Sequence, residues 1–252
     1  MLEVQNLHKS FGGIHAVRDI SFSVEKGEVV SLIGPNGAGK TTCFNLVTGF
    51  IAPSSGSVKL DGRDVTGVAP YRMAELGVVR TFQKTNVLKA LTVRENILAA
   101  QYLKGRSSIW RSFWPGSSQR KAEAAMGRRA DEIIELIGLT NRMNIRANTL
   151  SCGELRLLEV GVALGADPRL LMLDEPAAGL NSREAETLAE LLKRLPGAWV
   201  GAILLVEHNM NLVMKVSDHV LVMNFGGKLA AGSPDEIQHD PAVLEAYIGK
   251  AL

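Results

Sequence analysis

The sequence is poor in cysteine and in net charge. Only two of its 252 residues are cysteines, Cys43 and Cys152, and they match no metal-binding spacing. So few cysteines fit a reducing compartment, and an inert thiol is the simpler interpretation of each. The formal net charge of +2 is too small for broad electrostatic capture of a polyanion. We therefore expect no nucleic-acid partner.

Long apolar runs are also missing. The longest are short, for example residues 202–206, whereas a membrane-spanning helix needs about 20 apolar residues. The opening sequence MLEV has no basic segment followed by an apolar one, so no secretory signal is expected. The chain is expected not to cross a bilayer by itself. It would serve a membrane process by docking to other subunits.

What is present is an alternation of strand and helix patterns. Residues 29–33, 170–173, 202–206 and 220–223 form nearly continuous apolar runs, which predict strands buried on both faces. Strands alternating with helices predict an α/β fold with a mainly parallel sheet. Between residues 86 and 158 the sequence pattern becomes mainly helical, and a long helix is predicted over 120–137. We predict an α/β core at 1–85 and 159–252 and an inserted helical subdomain at 86–158.

The strongest motif is GPNGAGKT at residues 34–41, which fits the phosphate-binding P-loop at every fixed position. A predicted buried strand precedes it and a helical pattern follows, as this motif requires; a plain glycine turn is the alternative. Lys40 is expected to reach the β- and γ-phosphates, and Thr41 to hold Mg²⁺. The predicted nucleotide-binding residues here are Asn36, Gly37, Ala38, Gly39, Lys40, Thr41 and Thr42.

A second motif is the apolar run at 170–173 followed by Asp174 and Glu175. Ligands of α/β sheets lie at the carboxyl ends of the strands, where both acids are expected. Asp174 is predicted to bind Mg²⁺, directly or through water, and Glu175 to orient and deprotonate an attacking water. Alone, a solvated strand end explains two acids equally well. The P-loop favours the catalytic interpretation.

The stretch LSCGE at residues 150–154 resembles the signature motif, commonly LSGGQ, of the ATP-binding cassette (ABC) ATPases. The resemblance implies that Ser151 and Gly153 contact the γ-phosphate of ATP bound by the opposite subunit. Cys152 and Glu154 replace the usual glycine and glutamine, and the Glu154 carboxylate would face phosphate unless it turns outward. Ser151 also fits a plain helix cap, and both roles are compatible.

The order of P-loop, glutamine, signature, acidic strand and histidine resembles the ABC family over the whole chain. Gln83 resembles the Q-loop glutamine that ligates Mg²⁺ and senses the membrane partner, and His208 resembles the switch histidine that hydrogen-bonds the γ-phosphate. Phe11 with Val17 resembles the platform on which adenine stacks; a place in the core is the alternative for Phe11. The resemblance makes Glu175, His208, Lys40 and Gln83 catalytic and gives Thr41, Gln83 and Asp174 as metal ligands.

The family resemblance also implies an architecture and partners. The fold would be a P-loop core, with a mainly parallel sheet plus antiparallel amino-terminal strands. Two cassettes, as a homodimer or a heterodimer, would pack head to tail around two ATP molecules with Mg²⁺, close on ATP and open on hydrolysis. Two separate permease subunits and, indirectly, a periplasmic solute-binding protein complete the assembly. The expected location is peripheral, on the cytoplasmic face of the inner membrane.

The finer resemblance is to the ATPase subunits of branched-chain amino-acid importers, in FGG at 11–13, RTFQ at 80–83, EHNM at 207–210 and AYIG at 246–249. These stretches are partly shared with urea-importer and lipopolysaccharide-exporter ATPases, which stay open as alternatives. Non-transport cassettes in translation or DNA repair fit less well, because the chain has neither a second cassette nor a very long coiled-coil insert. The complete set of catalytic residues disfavours a regulatory module with a dead site.

Aromatic residues make up only 5% of the chain, yet Trp110, Phe113 and Trp114 lie within five residues. Contact with a permease or the membrane surface is one interpretation, since Trp favours interfaces. A local cluster that folds the insert onto its own subdomain is the favoured one.

Overall fold

The computed structural model describes residues 1–81, 87–104 and 117–248, without the side chains of 103, 104, 117–120 and 248. Its strands are β1 (Leu2–Phe11), β2 (Ile14–Val24), β3 (Val29–Ile33), β4 (Ser55–Leu60), β5 (Arg63–Asp64), β6 (Val78–Arg80), β7 (Leu170–Asp174), β8 (Ala202–Val206), β9 (His219–Asn224) and β10 (Gly227–Gly232). Its α-helices are α1 (Lys40–Val47), α2 (Pro70–Glu75), α3 (Val93–Lys104), α4 (Ser117–Leu136), α5 (Cys152–Gly165), α6 (Ser182–Lys193), α7 (Met210–Val216), α8 (Pro234–His239) and α9 (Pro241–Ile248). In this part of the chain, no helix is long and apolar enough to span a membrane.

The central sheet has six strands in the order β10-β9-β3-β8-β7-β6. All neighbours are parallel except β10, which runs antiparallel to β9. Every residue of β3, β7 and β8 is buried, because helices or the second sheet cover both faces. The predicted mainly parallel sheet is confirmed. Its carboxyl edge receives the ends of β3, β7 and β8, which precede the motif residues.

A second, antiparallel sheet of order β2-β1-β4-β5 packs over α1. The hydrophobic cluster there joins Leu2 and Ile20 of this sheet, Phe44 of α1 and Leu204 of the central sheet. α1 therefore lies between the two sheets, and its Cys43 is fully buried. Burial raises the pKa of the Cys43 thiol to about 12, which makes it an inert core residue, as expected.

Helices α3, α4 and α5 pack together on the other side of the central sheet. One continuous cluster runs from Ile97 and Ile133 in these helices to Leu171 and Leu205 in the sheet. Glycines let α5 approach closely: a Cβ on Gly161 would meet Ile137, and one on Gly165 would meet the Ile97 carbonyl oxygen at 2.9 Å. The division at 86 and 158 stays a prediction, and α5 crosses the expected boundary as one helix.

Side chains close to each helix start cap several of the helices. Thr92 and Glu95 exchange backbone and side-chain bonds at the start of α3. Complete capping boxes also begin α6, at Asn181, and α8, at Ser233. The long helix α4 begins three residues before the predicted 120 and stops before Gly138, whose φ is +74°. Helix α5 begins directly after Ser151, the serine of the signature stretch.

Candidate nucleotide site

The phosphate loop connects β3 to α1 through three glycines with positive φ, Gly34, Gly37 and Gly39. Gly34 has φ +147° and Gly39 has φ +99°. A Cβ on Gly39 would also collide with the Ala16 carbonyl oxygen, so only glycine fits. Gly39 is the N-cap of α1, and no side chain caps that helix. An uncapped helix N-terminus that follows a buried strand directs backbone N–H groups at an anion.

Lys40, the first residue of α1, is almost fully buried. Its Nζ donates to the carbonyl oxygens of Gly34 (2.7 Å) and Pro35 (3.0 Å). Burial lowers the pKa of the Lys40 ammonium, and the charges of Glu175 and Asp174 partly oppose that shift. The ammonium therefore lies between the loop and the acidic end of β7, where it can bind phosphate oxygens.

The other predicted loop residues differ in exposure. Asn36, Gly37 and Thr41 are exposed, Thr42 is half-buried and Ala38 is buried. The Ala38 carbonyl accepts the Gly226 N–H at 3.0 Å, which attaches the loop to the turn between β9 and β10. The loop is thus braced from behind, and its exposed residues face outward.

Asp174 ends β7 with a side chain that is 1% exposed. Its Oδ2 accepts from Arg80 at 2.9 Å, and Arg80 also bonds Asn45 of α1 and stacks on Phe44, 4.6 Å from the ring centroid. Burial raises the pKa of the Asp174 carboxyl, while the Arg80 hydrogen bond and charge oppose the shift. Arg80 thereby joins β6, β7 and α1 beneath the site.

The residues at this edge fit Mg²⁺. Among the described residues, Asp174 Oδ1 is buried and has no hydrogen-bond partner. Carboxylate and hydroxyl oxygens such as those of Asp174 and Thr41 are ligands that Mg²⁺ prefers. The described residues contain no group of three or more His, Cys, Asp or Glu that could hold a metal ion. The fit is therefore to a magnesium ion that takes most of its ligands from phosphates and water.

Glu175 and His208 follow neighbouring strands and lie close together. Glu175 has φ +50°, a conformation uncommon outside glycine, and its N–H donates to the Val206 carbonyl at 2.8 Å. His208 Nδ1 is 4.0 Å from Glu175 Oε2. The His208 side chain is 58% exposed, whereas that of Glu175 is 28% exposed. A partly shielded carboxylate beside an accessible imidazole can hold a water molecule and bind a phosphate oxygen.

Glu207 is a residue of this site to which the sequence interpretation gave no role. Its side chain is fully buried and accepts three backbone N–H bonds, from Ala177, His208 and Asn209. The available signal was a charged residue directly after an apolar strand. Arg80 was missed in the same way, although it lies in the RTFQ stretch.

The signature residues begin α5. Ser151 is the N-cap, its side chain accepts the Glu154 N–H at 3.2 Å, and Glu154 Oε2 accepts the Ser151 N–H at 2.8 Å. Glu154 Oε1 also accepts from Arg142 at 2.9 Å. The Ser151 backbone bond, together with Arg142, lowers the pKa of the Glu154 carboxyl. The Glu154 carboxylate is thus folded back onto the start of its own helix and paired with Arg142, so it is not left as an unpaired charge at the signature motif.

The signature helix also contacts the residues after Glu175. A Cβ on Gly153 would clash with Glu184 Oε1 of α6, 2.6 Å away, so α5 and α6 meet closely there. Arg156 of α5 bonds the Ala178 carbonyl at 3.4 Å, and Asn181 caps α6. Cys152 is exposed beside this junction. Residues 151–156 and 178–184 therefore form one packed unit.

Of the residues predicted for the adenine platform and the Q-loop, only Phe11 and Val17 lie in the described part of the chain. The Phe11 side chain is 48% exposed, with Lys9 Nζ 5.1 Å from its ring centroid. Val17 is fully buried in the core, so its side chain offers no accessible surface. Gln83 lies outside the described residues, as do Trp110 and Trp114. Their predicted roles stay predictions.

Comparisons with known proteins agree with this geometry. The family described as "ABC transporter" matches residues 17–178, and the family described as "Branched-chain amino acid ATP-binding cassette transporter" matches residues 228–252. A relative from Pseudomonas aeruginosa, "High-affinity branched-chain amino acid transport ATP-binding protein BraF", is 42% identical and aligns over 100% of this chain and 98% of its own. The protein LivG of Escherichia coli K12, described in the same words, is 41% identical over the same shares.

Solved structures give the same result. The ADP conformation of MJ1267, "an ATP-binding cassette of an ABC transporter", has a TM-score of 0.85 and 33% identity, and 99% of each chain is covered. A nucleotide-free cassette from an ABC transporter has a TM-score of 0.83 and 34% identity, again over 99% of each chain. The chain belongs to the ABC transporter family, as one of its ATP-hydrolysing subunits.

Proposed function

We propose that this chain is the ATP-hydrolysing subunit of an ABC importer for branched-chain amino acids. The observation that carries the proposal is similarity over the whole chain to BraF and LivG, including the separate match at residues 228–252. That carboxyl-terminal match lies outside the nucleotide motifs, so it does not follow from ATP hydrolysis alone. Urea import and lipopolysaccharide export are the alternatives that share the motifs.

The proposed chemistry is attack of water on the γ-phosphorus. Glu175 orients the water and takes its proton as the oxygen–phosphorus bond forms and the bond to the bridging oxygen of ADP breaks. Lys40 and the N–H groups of the phosphate loop bind the β- and γ-phosphates, and His208 donates to a γ-phosphate oxygen. Phe11, which is half exposed, is the proposed adenine contact, and Val17 would only support it from the core. The positions of Lys40, Glu175 and His208 at one edge of the central sheet support the proposed phosphate chemistry.

Mg²⁺, when bound with ATP, would neutralise the charge that develops on the phosphate oxygens. Thr41, Asp174 and Gln83 are the residues proposed to hold it, directly or through water. Arg80 fixes the Asp174 carboxylate through Oδ2, which leaves Oδ1 for this role.

We further propose that the site is completed by a second cassette. Ser151 and Gly153 of each subunit would contact the γ-phosphate bound by the other, in a homodimer or a heterodimer. The pair would dock to two permease subunits on the cytoplasmic face of the inner membrane. A periplasmic solute-binding protein would deliver the solute to the permeases.

Purification of the tagged chain from detergent-solubilised membranes, followed by reconstitution of its complex in liposomes, tests this function. We expect two permease subunits in the complex and ATP-dependent uptake of leucine, isoleucine or valine when their binding protein is added. Glu175→Gln in the same complex is the matched control, and it should bind the permeases without driving uptake. Uptake of urea but not leucine, or extraction of lipopolysaccharide, would overturn the solute assignment and leave ATP hydrolysis intact.

A further inference from the structure

Glu207 is a buried carboxylate between the two residues proposed to act on the γ-phosphate. It follows β8, which lies beside β7 in the central sheet, and β7 leads into Glu175. The Glu207 side chain is 0% exposed, although charged side chains are rarely fully buried without specific partners. Its partners are backbone N–H groups from both loops that leave this edge of the sheet.

The two oxygens of Glu207 face different loops. Oε1 accepts the Ala177 N–H at 2.8 Å, in the segment that follows Glu175. Oε2 accepts the N–H groups of His208 at 2.6 Å and Asn209 at 2.8 Å. One carboxylate therefore joins the loop after β7 to the loop after β8, across 30 residues of sequence.

This junction joins the loop that carries Glu175 to the loop that carries His208. Glu175 lies two residues before Ala177 and has a left-handed backbone conformation, which persists only where surrounding contacts stabilise it. The backbone N–H of His208 donates to Glu207 Oε2. His208 Nδ1 lies 4.0 Å from Glu175 Oε2 and 3.7 Å from Glu207 Oε2. A shift of either loop would change where the water and the γ-phosphate oxygen are held. Reaction rates are sensitive to such shifts.

We propose that Glu207 is a positioning residue for ATP hydrolysis, which fixes Glu175 and His208 relative to each other through backbone N–H bonds. The inference rests on the proposed roles of those two residues. Glu207 itself is fully buried, so its side chain has no accessible surface to offer a nucleotide. Its effect is therefore on turnover and not on ATP affinity.

The chemistry of the side chain matters as well as its size. Three N–H donors converge on Glu207, and a carboxylate supplies acceptors on both of its oxygens. Glu207→Gln has nearly the same shape but places an NH₂ group on one side. Whichever way the amide turns, an N–H donor meets another donor, so one of the two loops is released.

The experiment compares Glu207→Gln with Asp218→Asn and Glu175→Gln in the purified ATPase. Asp218 is the matched control, because its Oδ2 accepts the Val29 N–H at 2.8 Å and joins the loop before β9 to the start of β3, at the opposite edge of the sheet. The measurements are kcat, KM, the Kd of ATP by equilibrium binding, and the unfolding temperature.

For Glu207→Gln we expect kcat to fall about 10-fold to 100-fold, with the Kd of ATP within about twofold of the wild-type value. Asp218→Asn should lower the unfolding temperature less, because Asp218 is exposed and accepts a single backbone N–H, and it should leave kcat unchanged. A kcat of Glu207→Gln that matches Asp218→Asn overturns the inference. So does a parallel loss of kcat, ATP binding and unfolding temperature, which would make the role purely structural.

If Glu207→Gln does not fold, Glu207→Asp replaces it, because it keeps both oxygens on a side chain too short to reach both loops. A kcat equal to that of Asp218→Asn, or a parallel loss of kcat, ATP binding and unfolding temperature, would then overturn the inference. Glu175→Gln separates the inference from the proposed function. Normal turnover in that variant would refute the role of Glu175, whereas an inactive Glu175→Gln beside a fully active Glu207→Gln would refute the role of Glu207 alone.

Discussion

The helix after the phosphate loop and the helix of the signature motif begin in opposite ways. α1 follows Gly39, with no side-chain cap and no acidic residue in its first turn. α5 follows Ser151 and is closed by reciprocal bonds between Ser151 and Glu154. Both are helix N-termini with unpaired backbone donors and the same partial positive charge. Of the two, only α5 satisfies its first backbone N–H groups with its own side chains.

The difference shows what decides the first residues of each helix. A serine at the start of α1 would stabilise an isolated helix, but the approach of Ala16 and Met223 to the loop allows only glycine there. α5 carries a stabilising box and a carboxylate paired with Arg142. Close packing of the loop against Ala16 and Met223 thus sets the residue before α1. At α5 the cap is built from Ser151 and Glu154, so a contact with nucleotide would use the remaining N–H groups and the Ser151 hydroxyl.

The largest effect is expected when Glu175, at the nucleotide site, is replaced with glutamine and compared with the same replacement of Glu154 in the cap of α5. Glu175→Gln should lower the ATP turnover rate at least about 100-fold, because it removes the base that activates water. Glu154→Gln should leave turnover within about twofold, since its carboxylate serves only the helix cap and Arg142. Steady-state phosphate release measures both. Equal losses in the two variants would break the distinction between the two helix ends.

The next effect comes from giving α1 the cap that it lacks. Gly39→Ser adds a Cβ at φ +99° that collides with the Ala16 carbonyl, so the loop must distort. We expect ATP affinity to fall about 10-fold or more and the free energy of unfolding to fall by about 1–3 kcal/mol. Gly62→Ser is the control, because Gly62 has φ +76° but open space around it. That variant should lose stability and keep its ATP affinity, measured by calorimetry.

Removing the cap from α5 should have a smaller effect. Ser151→Ala loses the acceptor for the Glu154 N–H, which should lower the free energy of unfolding by about 1 kcal/mol. Ser233→Ala removes the equivalent bond at α8 and is the matched control. Urea denaturation should show similar losses in both. If Ser151 also contacts ATP across the dimer, only Ser151→Ala should reduce turnover; equal turnover would leave Ser151 as a cap alone.

The smallest effect concerns the charge of Glu154. Its pKa is lowered in the folded protein, so its carboxylate adds stability above the ordinary value of 4.5, and that stability is lost as pH falls through the lower folded pKa. The unfolding free energy of Glu154→Gln should therefore lie below the wild-type value near neutral pH, by at most about 1 kcal/mol. The difference should shrink in urea titrations below about pH 4.5. A constant difference would assign the effect to packing.

Local chemistry in the sequence predicted much of the fold and part of the site. The glycines of residues 34–39 lie between a buried strand and a helix because turn geometry and apolar runs are local properties. The capping patterns at Thr92, Asn181 and Ser233 likewise act within four residues. The P-loop and the acids after β7 were therefore placed correctly with respect to strands and helices.

The contacts that arrange the site depend on the order of the strands. Arg80 reaches Asp174 only because β6 lies beside β7, and Glu207 reaches Ala177 only because β8 lies on the other side of β7. The orientation of Glu154 likewise needed the position of Arg142, twelve residues earlier. Apolar runs such as β7 and β8 look alike in sequence, so they predict burial without predicting neighbours.

The close packing of α5 on α3 has a mechanical consequence. Gly165 lets α5 approach the Ile97 carbonyl oxygen of α3, and Gly161 lets it approach the side chains of Ile137 and Ile97, so a sliding or tilting of α5 against these neighbours would cause a clash. α5 has 14 residues, about 21 Å at 1.5 Å per residue, and its far end carries Ser151. We therefore expect a displacement of α3 to move α5, and with it the signature residues, as one unit.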